Sequence, residues 1–140
     1  MTGSLAEADD LTQETFIKVF RHLPEFRGEA LFSSWIYRIA FNQCLNWRKA
    51  SARQQQLHEE WSQTVGESTD EMDQRAKMVQ EALLKLNPKQ RAAVILTSYE
   101  GLTHAQAALA LGCSETTVSW RLFAARGKLK RLLKRASHRP

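Results

Sequence analysis

Nearly every ordered stretch of this chain places its apolar residues three or four apart, the spacing of one helix face. In "SLAEADDLTQETFIKVFRHL", Leu11, Thr15, Phe16, Val19, Phe20 and Leu23 fall on one stripe. Ser4 followed by Glu7 reads as a capping box, and the early acids, with Lys18 and Arg21 near the end, suit the helix dipole. Pro24 and Gly28 interrupt the pattern. A second helix is expected over 32–48, with Phe32, Trp35, Ile36, Ile39, Ala40, Cys44 and Trp47 on its buried face.

The periodicity then fades. Residues 51–70 are polar, glutamine-rich and acidic, and read as a linker, although Leu57 and Trp61 are spaced to allow a short helix. From Glu71 the stripe resumes through Met72, Ala76, Val79, Leu83 and Leu86. Asn87 can cap and Pro88 suits a first helical position, so a new helix is predicted, carrying Ala92, Val94, Ile95, Leu96 and Tyr99 up to Gly101. The fold class is therefore all-α: two small helical domains, 1–50 and 71–137, joined by a linker.

The sharpest local signal lies in the last forty residues. Thr103 and Gln106 make another capping box, opening a short helix that ends near Gly112, and Ser114 caps the next. A helix-turn-helix needs a small residue where the helices meet, a glycine able to adopt positive φ in the turn, and apolar residues on the second helix facing the first. Ala108, Gly112, Val118 and Leu122 supply these. Thr116, Thr117, Ser119, Trp120, Arg121 and Phe123 are left for the open faces. Trp120 and Phe123 are either half-buried packing residues or apolar contacts in a DNA groove. Arg121 and Arg126 suit bidentate guanine reading or a phosphate.

Charge sharpens this picture. The formal net charge of +5 is uneven: residues 51–75 hold six acids and two bases, whereas residues 101–140 hold one acid and eight bases. A basic C-terminal quarter is the footprint of a polyanionic partner, although a solvated basic helix end would carry the same charge. No apolar run is long enough to span a membrane, and the N-terminus lacks the order of a signal peptide, which makes the cytoplasm the expected compartment. Cys44 and Cys113 are isolated packing residues, and His22, His58, His104 and His138 are scattered, so neither a metal, a cofactor nor an enzyme activity is expected.

Taken together, "EADDLTQETFIKVFRHLPEFRGEALFSSWIYRIAFNQCLNWRK" and "LLKLNPKQRAAVILTSYEGLTHAQAALALGCSETTVSWRLFAARGKLKRLL" resemble the extracytoplasmic-function class of bacterial sigma factors, in the family's order and with a linker between. The resemblance implies a promoter-specificity subunit that binds core RNA polymerase and reads −10 and −35 elements without catalysis of its own. It implies polymerase docking through Asp10, Gln13, Glu14 and Lys18, which lie off the apolar stripe of the first helix. It implies −10 recognition and melting by Arg27, Tyr37, Arg38, Phe41, Asn42, Arg48 and Lys49. Trp35 is either core or a stacking platform. For the −35 element it implies Arg91, Thr116, Thr117, Ser119, Trp120, Arg121, Phe123 and Arg126.

The family makes an anti-sigma factor an expected partner. Two features depart from its pattern: Ser119 and Trp120 precede Arg121 where more charge is usual, and Ala124 stands where a base is common. Members normally also carry a further helix before "EADDLTQETF", so Leu11, Phe16 and Phe20 are expected to lack cover, which favours self-association. A stand-alone helix-turn-helix regulator of the response-regulator type is the alternative, but it would have no use for Asp10, Gln13 and Glu14 or for the aromatic segment at 32–47.

Overall fold

The structure, a computed structural model, describes residues 1–28, 31–55 and 71–138. Their six α-helices are α1 (Leu5–His22), α2 (Phe32–Gln55), α3 (Glu71–Leu84), α4 (Pro88–Val94), α5 (His104–Leu111) and α6 (Glu115–Ser137). A 3₁₀ turn, Leu23–Glu25, follows α1, and a π turn, Ile95–Tyr99, follows α4. The remaining stretch of the expected linker, residues 56–70 with Leu57 and Trp61, lies outside the described residues. No described helix is long and apolar enough to cross a membrane.

Helix α1 starts where its cap predicts, the Ser4 side chain accepting from the Glu7 N–H at 3.5 Å. The return half of the box is not made. Glu7 instead reaches α2, where its Oε2 accepts from Trp47 Nε1 at 3.0 Å, a bond that ties the two helices together. Leu11, expected to lack cover, is instead buried with Thr15 and Val19, because it lies on the side of the stripe that meets α2; Phe16 and Phe20 are 60% and 80% exposed and Leu23 is exposed too. The reason is geometric: α1 packs chiefly on α2, and one neighbour covers only part of a stripe this wide.

Helix α2 corrects its prediction in two ways. It continues to Gln55, past the expected end, and its burial is not confined to one face. Ser34, Phe41 and Gln43 are buried, Trp35, Ile36, Ile39, Ala40, Cys44 and Trp47 are half-buried, and Phe32 is exposed. A helix lying between two neighbours, α1 on one side and α5 on the other, spreads its contacts around its circumference. Burial pushes the Cys44 thiol above its ordinary pKa, which leaves it a packing group and a poor nucleophile.

The main core belongs to α4, α5 and α6. Leu86, Ala92, Ala93, Leu96, Ala107, Ala108, Ala110, Val118, Leu122 and Ala125 are buried, and the alanines let the helices approach closely. Phe41 of α2 is part of this same cluster. Full burial of such a ring is worth roughly 1.5–3 kcal/mol, so the N-terminal helices are anchored to the C-terminal ones through it. Asn87 Oδ1 accepts from the Gln90 N–H at 2.8 Å, with Pro88 opening α4 as expected. The predicted continuous helix to Gly101 instead widens into the π turn, and Tyr99 is exposed.

Candidate nucleic-acid interface

The turn between α5 and α6 is built as the sequence requires. Thr103 and Gln106 close both halves of a capping box, the Thr103 hydroxyl accepting from the Gln106 N–H at 3.2 Å and Gln106 Oε1 accepting from the Thr103 N–H at 2.9 Å. Gly112 ends α5 with φ +65°, a left-handed conformation that costs glycine nothing, and the Cys113 N–H then returns to the Ala108 carbonyl at 3.0 Å. Ser114 accepts from the Thr117 N–H at 3.1 Å and starts α6. Val118, Leu122 and Ala125 turn inward and hold α6 against its neighbours.

The predicted residues of α6 divide by what already occupies them. Thr116, Ser119, Trp120, Phe123 and Arg126 are exposed, while Thr117 and Arg121 are half-buried. The Ser119 hydroxyl lies 3.1 Å from His104 Nδ1, and Arg121 Nη1 donates to Cys113 Sγ at 3.5 Å, so both polar groups are turned back onto the turn. Trp120 and Phe123, whose placement the sequence left open, are 67% and 73% exposed and meet edge to face, with centroids 6.1 Å apart at 85°.

Arg91 does not belong in this set. It is 1% exposed, and its guanidinium donates to the carbonyls of Leu83 (2.8 Å), Leu84 (2.6 Å), Leu86 (2.9 Å) and Met1 (2.7 Å). The Leu83, Leu84 and Leu86 oxygens close the C-terminal end of α3, where a cation also meets the negative end of the helix dipole, and the Met1 carbonyl brings the start of the chain to the same guanidinium. Burial, with Arg48 nearby, lowers its pKa from the ordinary arginine value, and the four bonds compensate the desolvated charge.

On α2, Arg38, Asn42 and Lys49 are exposed and Arg48 is half-buried, as is Tyr37. Phe41 is corrected to a core residue at 8% exposure. Tyr37 Oη donates to Glu100 Oε2 at 2.7 Å, and that bond, with some burial, raises the phenol's pKa. Arg27 is exposed in the segment before α2, where Phe26, Phe32 and Trp35 form a cluster with ring centroids 5.2 to 5.7 Å apart. Trp35 is thus engaged by other rings. Glu29 and Ala30, within the expected base-capturing loop, lie outside the described residues. On α1, Asp10, Gln13 and Glu14 are exposed, and Lys18 Nζ donates to Gln43 Oε1 of α2 at 3.0 Å.

Glu100, His104 and Cys113 are partners that sequence reasoning missed. Each meets a predicted residue across a turn or between helices, and no local spacing signals it.

Comparison with known proteins matches residues 1–54 to sigma-70 region 2 and residues 76–129 to sigma-70 region 4. The chain is 35% identical over 127 residues to the ECF RNA polymerase sigma factor SigM of Mycobacterium tuberculosis, covering 91% of this chain and 64% of that protein. It is 31% identical over 137 residues to the RNA polymerase sigma factor NccH of Alcaligenes xylosoxydans xylosoxydans, covering 91% of this chain and 74% of that one. The chain belongs to the extracytoplasmic-function sigma factors. It spans less than two thirds of the SigM relative's length. Among solved structures, the sigma factor RpoE of Bartonella quintana, in complex with the anti-sigma factor NepR, superposes with a TM-score of 0.78 at 26% identity, over 95% of this chain and 84% of that one. CnrH, in complex with the cytosolic domain of CnrY, gives 0.69 at 26% identity, over 94% of this chain and 73% of that one. Both sigma regions thus occur here in the family's order.

Proposed function

We propose that this protein is a promoter-specificity subunit that binds core RNA polymerase and directs initiation by recognising −35 and −10 elements, with no catalytic step of its own. The observation that carries the reading is the pairing, in one chain, of a helix-turn-helix whose second helix carries exposed basic side chains with an aromatic helix pair matched to sigma region 2. In this reading Asp10, Gln13 and Glu14 dock on polymerase, and α6 enters the major groove of the −35 element. Exposed Arg38, Asn42 and Lys49 contact the −10 DNA. Tyr37 joins them only when α2 separates from the C-terminal helices, because its hydroxyl is held by Glu100. An anti-sigma factor is the expected regulator, on the precedent of the NepR and CnrY complexes. The test is reconstitution with purified core polymerase, followed by transcription from a promoter library. Stable association with promoter-selective transcripts is the expected result; failure of the protein to associate with core polymerase would sink the proposal.

A further inference from the structure

We propose that Trp120 and Phe123 form an apolar reading ridge that takes thymine methyl groups in the major groove, so that thymine positions specify the upstream element this protein recognises. The proposal rests on the reading of α6 as the DNA-facing helix.

At 100° per residue, Thr116, Trp120, Phe123 and Gly127 share one stripe, opposite Val118, Leu122 and Ala125, which are 0%, 2% and 0% exposed. The two rings meet edge to face and stay 67% and 73% exposed. Directly after the rings the stripe reaches Gly127, where even an added Cβ would meet no atom within 4 Å, and it then continues with the exposed Lys130 and Lys134. The ridge is therefore open next to the rings and basic beyond them.

The usual polar readers are committed elsewhere. Thr117 lies 2.9 Å from Ser114, Ser119 bonds His104, and Arg121 is turned onto Cys113. Apart from Glu115 at the cap and the engaged Ser119, what the first turns of α6 present outward is Thr116, two aromatic rings and Ala124. The occupant follows from charge. After Glu115, α6 has no acid, and Arg126, Lys130, Arg131 and Lys134 follow the rings along the same helix, which suits a polyanion and not the apolar groove of another protein. The thymine C5 methyl is the apolar group that the major groove offers.

The full chain would be used to select binding sites from randomised thymidine-containing duplexes. The best site is then resynthesised with deoxyuridine at single thymine positions, which removes the methyl and keeps every hydrogen-bonding group. At one or two adjacent positions the loss should be about fourfold each, the size of one buried methyl. Trp120→Ala and Phe123→Ala should bind the two duplexes equally, with unfolding midpoints like the parent's because both rings are exposed. Sequence-specific binding that ignores deoxyuridine overturns the ridge and leaves the DNA reading intact. Failure to bind any duplex, alone or with core polymerase, overturns both. Unchanged DNA binding by Trp120→Ala, with lost association to core polymerase, overturns the proposal by assigning the rings to a protein contact.

Discussion

Tyr37 on α2 and Glu100 beyond α4, 63 residues apart in sequence, are joined by a 2.7 Å hydrogen bond that links the two halves of the molecule. The bond raises the Tyr37 pKa, so it stabilises the form in which the phenol keeps its proton. Its contribution is fully present below the ordinary tyrosine pKa of about 10 and is lost as pH rises through the higher folded value. A spectrophotometric titration should therefore show one tyrosine ionising above the ordinary range, and Tyr37→Phe should remove that component. Because the bond is partly solvated, the same substitution should lower stability by about 1 kcal/mol or less and increase amide exchange in α5. A titration unaltered by Tyr37→Phe would contradict the assignment.

Arg91→Ala should destabilise the protein by about 1–3 kcal/mol, the range for leaving buried carbonyls without their donor. Arg91→Lys should recover little, because an ammonium on a flexible stem cannot present the planar fork that reaches carbonyls of Leu83, Leu84, Leu86 and Met1 together. Urea unfolding curves decide the matter. A near-neutral Arg91→Ala with weakened DNA binding would return the residue to the DNA-contacting set.

The contrast between Arg91 and Arg126 shows how far the sequence carries. Both are arginines of the C-terminal half, and charge patterning alone cannot say which one has unpaired carbonyls within reach. The caps at Ser4, Asn87, Thr103 and Ser114 were legible because each is a local bond between residues three apart. The turn at Gly112 was legible for the same reason. Phe41 is not: its place in the aromatic segment resembles a DNA contact, and only the docking of α2 on the C-terminal helices makes it core. The apolar spacing alone does not say that Leu11 is covered while Phe16 and Phe20 stay exposed, nor that Glu7 turns to Trp47; both depend on how α1 and α2 lie together.

Gly112→Ala should cost about 1–2 kcal/mol, since an L residue is strained at φ +65°. Sterics add little, because the new Cβ would stand 3.7 Å from the Arg38 Nη2. Gly112→Asn should be milder, asparagine being tolerant of the left-handed region. Thermal unfolding of the two variants orders them. Equal losses would mean that crowding, and not backbone conformation, sets the cost at the turn.

Arg126 is exposed on the helix that carries the basic end of the chain, beyond the turns where Ser119 and Arg121 are already engaged. On the proposed reading of α6, a guanidinium placed there would contribute by neutralising a phosphate and releasing its counterion. Arg126→Ala should then leave the urea midpoint unchanged, weaken binding to selected and random duplexes by similar factors, and reduce the salt slope of log K by about one. Binding isotherms at several salt concentrations provide the measurement. A loss confined to the selected duplex, with the slope preserved, would instead make Arg126 a base reader and move the specificity of α6 toward its middle turns.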